Sequence, residues 1–400
     1  MLNRREFLGA VGAAGVTLLQ PVIARAAAPT APVAIGTCRS YGPEFVTAMD
    51  AMFDQIGGIG NLVRGKTVSI KINMTGSAET RLGYLPAGRT HWTHPRTVGG
   101  IIHLLDKYGA RRIRVLEGDI WPGSLEEWMA KQGWDPDLLL KAAPRVELVN
   151  TNLPYKGKKP YTRFPVPHGG LIFPAWDLNT AYAESDVLVS MAKIKEHLTA
   201  GFTLGIKNLW GVTPCTIYGN KAPVDEPGLI PYGGRQDIGH NGRRQPPKSS
   251  PPEKDPASPR DAGYRIPRIC AELSAAVPVD LTILEGIETI TGSEIPYARY
   301  GDFIRFVSPG VVAVGRNCVT TDAVGMALMG FDPMADRGKP PFELCDNMLR
   351  FAEELGVGTR DLKNIEVIGT PIKDVVFDFR KNGGPRPAGV PGGPPLPTKK

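Results

Sequence analysis

The sequence predicts an α/β protein in which helices flank a largely parallel or mixed sheet. Three observations support this prediction: short apolar runs typical of buried strands, segments with helical apolar spacing between most of them, and Gly or Pro at the boundaries. With 42% hydrophobic residues, the 400-residue chain is long enough to bury a large core. We therefore expect one α/β domain at about residues 33–378, which could divide into two lobes.

The first predicted strand lies at residues 33–36. A helix follows at residues 43–56 and ends at the pair Gly57-Gly58. A second strand is predicted at residues 67–72, where β-branched and apolar residues alternate with polar ones.

A second helix is predicted to begin at Pro95, a residue that fits the first helical position. Val98, Ile101 and Leu105 fall on one face of it, and Gly109 is its expected end. Further strands are predicted at residues 113–116, 146–149, 187–191, 281–284, 311–314 and 365–368. The alternation of strands with helices favours a parallel sheet.

Two segments do not follow this alternation. Residues 214–261 are rich in Pro and Gly and too long for an ordinary loop, which indicates either a mobile lid or a partly disordered insertion. Residues 383–400 are also rich in Pro and Gly, and we expect a disordered tail there.

The N-terminus has the pattern of a twin-arginine export signal. Arg4 and Arg5 precede an apolar stretch at residues 9–19, and Ala24-Arg25-Ala26 offers a small-x-small cleavage site. We expect residues 1–26 to be a signal peptide that engages the twin-arginine translocase, and the mature protein to be periplasmic without stable membrane insertion. An uncleaved membrane anchor is the alternative, although the apolar stretch is short for a spanning helix.

Charge and cysteine content narrow the choice of partners and cofactors. The formal charge is +7, and it falls to about +5 when residues 1–26 are removed with three arginines and one glutamate. Because no dense basic tract is present, nucleic acid is not an expected partner. The five cysteines form no CxxC pair and no iron–sulfur motif, so an iron–sulfur cluster is not expected. The cofactor is otherwise unknown, and a divalent metal is one option.

Polar residues follow two predicted strands at the edge where open α/β sheets bind ligands. Lys71 and Asn73 end the strand at residues 67–72, and we expect both to bind substrate unless they are only a surface lysine and a turn asparagine. After residues 187–191, Lys193, Lys195 and His197 would share one face if the strand continued through them. Three neighbouring cations would repel one another unless an anion neutralises them or one of them is deprotonated, and solvated loop lysines are the alternative.

Lys207 and Asn208 follow that cluster after two glycines, which allow the backbone to approach a ligand closely. The predicted substrate-binding residues are therefore Lys71, Asn73, Lys193, Lys195, Lys207 and Asn208. The predicted ligand is an anionic small molecule.

Histidines and carboxylates provide candidate metal ligands. His91 and His94 precede Pro95, while Glu117 and Asp119 follow the strand at residues 113–116, so the four could bind a divalent metal. Alternatively, His94 caps the helix or acts as an acid–base group. Glu117 and Asp119 could instead act as a general base, pair with Lys71 or Lys193, or belong to a capped turn. His94, His197 and Asp119 are the predicted catalytic residues.

Several of these segments resemble the family called domain of unknown function 362. The resemblance rests on the segments at residues 57–59, 68–73, 93–95, 183–211, 281–292 and 311–333, in that order. It covers about residues 33–370 and implies an α/β fold. Some members carry ferredoxin-type iron–sulfur segments, but this chain lacks the cysteine runs that such a segment requires.

We predict that the protein is an exported enzyme that binds an anionic substrate at a Lys/His/Asn cluster, with or without metal assistance. The alternatives are a non-catalytic periplasmic protein that binds an anionic small molecule, and a metal-carrying redox accessory protein.

Overall fold

The computed structural model describes residues 28–118, 120–154, 160–231, 233–296 and 303–394. Its strands are β1 Val33–Thr37, β2 Thr67–Lys71, β3 Arg112–Glu117, β4 Val146–Asn150, β5 Tyr161–Pro165, β6 Ala175–Asn179, β7 Val187–Lys193, β8 Lys195–His197, β9 Gly201–Thr203, β10 Leu281–Gly286, β11 Thr289–Ile290, β12 Phe306–Val307, β13 Val311–Gly315 and β14 Val367–Gly369.

Eight of these strands form one mixed sheet, in the order β14-β1-β13-β10-β7-β2-β3-β4. The β13 strand runs antiparallel to both of its neighbours, and the other seven point the same way. Three two-stranded ribbons lie outside the sheet: β5 with β6, β8 with β9, and β11 with β12. The predicted α/β fold with a largely parallel sheet is confirmed.

Helices connect most of the strands. The α-helices are Pro43–Gln55, Gly60–Val63, Ala87–Thr90, Pro95–Lys107, Leu125–Lys131, Pro136–Leu140, Thr180–Ala183, Gly205–Asn208, Cys215–Tyr218, Ala262–Ala276, Cys318–Leu328, Met348–Glu354 and Ile372–Val375. Single helical turns occur at Pro167–Gly169, Leu209–Val212, Gln236–His240 and Leu362–Asn364. Within the described ranges, no helix has the length and apolar character needed to cross a membrane.

Each face of the sheet carries its own apolar core. The helices Pro43–Gln55 and Pro95–Lys107 cover the first face, and Ala262–Ala276 and Cys318–Leu328 cover the second. Successive residues of the central strand β7 alternate between the two cores, as strand geometry requires. Because both faces are buried, the polar residues of the central strands are confined to their ends and to specific partners.

The segment at residues 214–261 contains two short helical elements, Cys215–Tyr218 and Gln236–His240. Its interior is packed against the core, because the buried Glu253 carboxylate lies 2.8 Å from the guanidinium of Arg265. The described part of the segment is therefore better understood as a packed, irregular cover than as a disordered insertion.

The C-terminal segment also contacts the core. Arg386 Nη2 lies 2.8 Å from Oε2 of the buried Glu196 on β8. Residues 383–394 thus differ from the predicted disordered tail, because a buried carboxylate holds them in place. The predicted signal peptide and residues 395–400 lie outside the described residues.

Candidate functional site

A polar cavity of about 70 Å³ lies at the carboxyl ends of β2 and β3. Six residues predicted from sequence to be functional line it: Lys71, Asn73, Glu117, His197, Lys207 and Asn208. All six side chains are buried. The parallel strands β2 and β3 bring Lys71, Asn73 and Glu117 together, because their carboxyl ends meet at one edge of the sheet.

The floor of the cavity is an ion pair between neighbouring strands. Lys71 Nζ lies 2.9 Å from Glu117 Oε1. The Glu117 carboxylate also accepts hydrogen bonds from the backbone N–H groups of Met74 (3.0 Å) and Gly118 (2.9 Å). Both oxygens of Glu117 therefore accept hydrogen bonds from donors within the protein.

Asn208 holds this ion pair against β7. Its Nδ2 donates to the carbonyl of Lys71 and to Ser190 Oγ, each at 3.1 Å. Its Oδ1 accepts from Lys71 Nζ at 3.3 Å. Asn208 therefore orients Lys71, and its own polar atoms are already used within the protein.

Lys207 reaches the cavity from the short helix Gly205–Asn208. Buried Asp322 fixes the start of this helix by accepting hydrogen bonds from the N–H groups of Gly205 (2.8 Å) and Ile206 (2.7 Å). Glycine is required at position 205, because a Cβ there would lie 2.5 Å from Thr282 Cγ2 and 2.9 Å from Asp322 Oδ1.

The amino group of Lys207 makes no hydrogen bond and no ion pair with any residue in the described ranges, although its side chain is only 8% exposed. Burial lowers the pKa of Lys207, while the nearby Cys270 and Glu294 raise it. Lys207 therefore differs from Lys71, whose charge is balanced within the protein.

His197 and Asn73 complete the wall. His197 Nδ1 accepts from the N–H of Thr199 at 3.2 Å, which assigns the ring proton to Nε2. Burial, followed by the proximity of Lys207, lowers the pKa of His197 well below its ordinary value, so the ring is neutral. Asn73 Oδ1 is buried and has no hydrogen-bond partner among the described residues.

Two charged residues of the cavity lining, Arg235 and Glu294, were not predicted from the sequence. Arg235 comes from the irregular cover at residues 214–261 and donates to the carbonyls of Thr213 (2.7 Å) and Gly118. Glu294 follows β11, and its Oε2 lies 3.6 Å from His197 Nδ1. No local motif marks either residue; the Gly233-Gly234 pair before Arg235 is the one sequence signal of a close backbone turn.

Lys193 does not line the cavity, because it lies on the opposite face of the sheet. Lys71 is paired with Ser190 in the register of β2 and β7, and Lys193 is three residues farther along β7. An odd number of residues reverses the face. Lys193 instead forms a buried ion pair with Glu285.

The prediction that Lys193, Lys195 and His197 share one face of a continuous strand is wrong. The main-sheet strand ends at Lys193, and Lys195 begins β8 in a separate ribbon. Lys195 Nζ donates to the carbonyls of His91 and Glu294 (2.9 Å) and does not line the cavity. Burial lowers the pKa of Lys195 well below its ordinary value.

Among the described residues, the predicted metal ligands His91, His94 and Glu117 do not form a metal site. Among these residues, no group of three or more His, Cys, Asp or Glu side chains is arranged to hold a metal ion. His94 caps the helix Pro95–Lys107, since its Nδ1 accepts from Arg96 N–H at 3.2 Å. His91 is buried beside Thr90, and Asp119 lies outside the described residues.

Solved structures with some similarity to this fold include a protein from Thermotoga maritima, with a TM-score of 0.31 and 12% sequence identity, over 64% of this chain and 51% of that chain. Another is the lactate racemase apoprotein from Thermoanaerobacterium thermosaccharolyticum, with a TM-score of 0.34 and 15% identity, over 66% of this chain and 52% of that chain. The chain thus spans about half the length of the solved structures it matches.

No curated protein matches this chain. The family described as Domain of unknown function (DUF362) matches residues 68–327, a range that contains β2, β3, β7, β10 and all eight cavity residues discussed above. Because this match spans well over half of the chain, the protein belongs to the DUF362 family.

Proposed function

We propose that this protein binds a small anionic molecule in the cavity and is an enzyme that acts on it by proton transfer. The observation that carries the proposal is Lys207, whose buried amino group lines the cavity with no partner in the described part of the chain. A buried polar group without a hydrogen-bond partner is costly, and a bound anion would supply the partner that this amino group lacks.

Other donors support an anion at the same place. Arg235 uses Nε and Nη2 on backbone carbonyls, which leaves Nη1 without a partner among the described residues. The neutral His197 carries its proton on Nε2, and Asn73 lines the cavity with an amide whose Nδ2 can donate. Convergent donors of this kind recognise carboxylates and phosphates.

The cavity limits the size of the ligand. A water molecule needs roughly 10–15 Å³ of cavity volume. The cavity volume of about 70 Å³ therefore accommodates a few waters or one small anion. Acetate and inorganic phosphate are of this size. Larger substrates would require movement of the irregular cover that supplies Arg235.

Two cavity groups are suited to proton transfer. Burial lowers the pKa of Lys207, which makes its amine easier to generate than in water. His197 offers an uncharged N–H to charge that develops on the ligand. The prediction of a catalytic histidine is therefore retained for His197, with Lys207 as a second proton-transfer group.

A binding protein without catalytic activity is the second candidate function. Glu117, the carboxylate in the cavity floor, already accepts from Lys71, Met74 and Gly118, so it is not available as a general base. This arrangement would suit capture of an anion without reaction. Turnover of a bound probe would decide between the two functions.

The test is a ligand screen followed by titration of matched variants. Acetate, pyruvate, malonate and inorganic phosphate are added to the protein, and a rise in Tm identifies a bound probe. Lys207→Met should then weaken binding of that probe about tenfold or more, because a hydrogen bond to a charged group contributes roughly 1.5–3 kcal/mol. Lys363→Met, which alters an exposed lysine, is the matched control and should bind like the parent.

The Lys207→Met protein should keep or increase its Tm without ligand, because the substitution replaces a buried amino group that lacks a described partner with an apolar side chain. The proposal fails if none of the four probes raises the Tm of the parent. It also fails if Lys207→Met binds the probe as tightly as the parent does.

We also propose that the protein is exported through the twin-arginine translocase and functions in the periplasm. The support is the sequence pattern of Arg4, Arg5, the apolar stretch at residues 9–19 and the small-x-small site at residues 24–26.

A further inference from the structure

We infer that the cavity takes its ligand as a monoanion together with one proton, and that the proton goes to the amine of Lys207. This inference rests on the proposed function and specifies the charge of the ligand and the pH dependence of its binding. It is carried by the balance of charges around the cavity and by the unpaired position of Lys207.

Apart from Lys207, the charged residues that line the cavity balance one another. Lys71 and Arg235 are positive, and Glu117 and Glu294 are negative. An uncharged Lys207 amine therefore leaves the empty cavity neutral. Neutrality is the favourable state of a buried site, because an excess charge is poorly solvated there.

Binding of a monoanion alone would give the cavity one excess negative charge. Protonation of Lys207 restores neutrality and creates a charge-assisted hydrogen bond to the anion. The proton comes from solvent or from the conjugate acid of the ligand, and it forms an N–H bond with the lone pair of Nζ. A dianion would keep one excess negative charge after the same step, so it should bind more weakly.

The surroundings of Lys207 are consistent with an amine that gains its charge on binding. The charged and titratable groups that act on Lys207 are Arg235 from the irregular cover, His240 from its helical turn, His197 and Lys195 from β8, Glu294 after β11, and Cys270 from the helix Ala262–Ala276. Burial is the largest influence and lowers the Lys207 pKa. An anion at Nζ would act in the opposite direction.

Proton uptake has a defined effect on affinity. If binding requires a proton on Lys207, affinity falls as the pH rises above the pKa of Lys207 in the free protein, by roughly tenfold per pH unit at most. Below that pKa the ammonium is already present, and affinity is independent of pH.

The experiment is calorimetric titration of the parent with acetate and with sulfate, in several zwitterionic or cationic buffers that differ in ionisation enthalpy. The dependence of the observed heat on the buffer gives the number of protons taken up. We expect up to about one proton per acetate bound, and weaker binding of sulfate. Lys207→Arg, which carries a permanent charge, should retain acetate binding without proton uptake.

The outcomes separate this inference from the function on which it rests. Acetate binding that weakens in Lys207→Met but involves no proton uptake in the parent would overturn the inference and leave the anion site intact. Uptake that persists in Lys207→Met and disappears in His197→Gln would assign the proton to His197, which also overturns it. Absence of any acetate or sulfate binding would count against both proposals.

Discussion

Lys193 Nζ lies 2.7 Å from Glu285 Oε2, and both side chains are completely buried. The ion pair joins the carboxyl ends of the adjacent strands β7 and β10. Lys193 Nζ also donates to the carbonyl of Gly88 (2.9 Å), and Glu285 accepts from the N–H of His94 (3.1 Å). The pair thus fixes the chain that leads into the helix Pro95–Lys107, on the face opposite the cavity.

Lys193→Met should therefore destabilise the fold and leave the cavity residues in place. Removing one partner of a buried pair costs about 3–5 kcal/mol, because the other charge stays buried without compensation. Urea denaturation of the parent and variant measures the loss. Lys141→Met, which alters an exposed pair with Asp137, is the control and should have no measurable effect.

A double variant, Lys193→Met with Glu285→Met, should recover part of that stability, since no unpaired charge remains. If Lys193→Met unfolds at the same urea concentration as the parent, the pair does not stabilise the fold as argued.

The sequence allowed the sheet edge to be predicted, because polar residues follow several apolar strands and parallel strands share one edge. It did not show on which face each side chain lies. Lys71 and Lys193 look equivalent in the sequence, but their faces depend on the pairing of Lys71 with Ser190. A shift of one residue in that register would have reversed the result.

The missed residues illustrate a second limit. Arg235 and Glu294 enter the cavity from irregular segments, where neither helical nor strand periodicity indicates the direction of a side chain. Their positions depend on long-range contacts such as that of Arg235 with the carbonyl of Gly118, and no local pattern encodes such contacts.

Acid should unfold the protein partly through its neutral histidines. Burial lowers the pKa of His94 and of His240 to about 3, below the ordinary value of 6.5. These histidines have a pKa of about 3 in the folded protein and of about 6.5 in the unfolded chain. The folded state is therefore most favoured above pH 6.5, and this stability is lost as the pH falls toward about 3. The unfolded chain takes up protons that the folded protein excludes.

His240→Gln should accordingly reduce the dependence of unfolding free energy on pH between about 3 and 6.5 by up to about one proton. Urea denaturation at several pH values in that window measures the slope. His103→Gln, at an exposed position on the helix Pro95–Lys107, serves for comparison. A slope for His240→Gln equal to that of the parent would contradict the assignment.

Export provides an independent prediction about the N-terminus. Because the translocase recognises the paired arginines, replacing Arg4 and Arg5 by lysines should leave the precursor in the cytoplasm. Fractionation of cells that express either form measures the periplasmic share. The same double substitution at Arg111 and Arg112 is the control for loss of arginine elsewhere. Normal periplasmic accumulation of the Arg4/Arg5 variant would rule out this export route.

Asp322 should position Lys207 without touching a ligand, because it holds the first two N–H groups of the helix that carries Lys207. Asp322→Asn keeps the shape but turns an N–H donor toward one of those groups. We expect acetate to bind several-fold more weakly, as the helix start shifts, and titration calorimetry measures the change. The exposed substitution Asp106→Asn is the control and should bind like the parent.

The same variant should also change how stability depends on pH. Burial raises the pKa of Asp322 to about 7, above its ordinary value of 3.8, so ionisation of this carboxyl group opposes folding. The stability that the protonated carboxyl group contributes is complete below about pH 3.8 and is lost as the pH rises through about 7. Asn cannot ionise, so the stability of the variant relative to the parent should rise across that window, as urea denaturation would show. An Asp322→Asn protein with the affinity and the pH dependence of the parent would show that this carboxylate neither positions Lys207 nor titrates in the window.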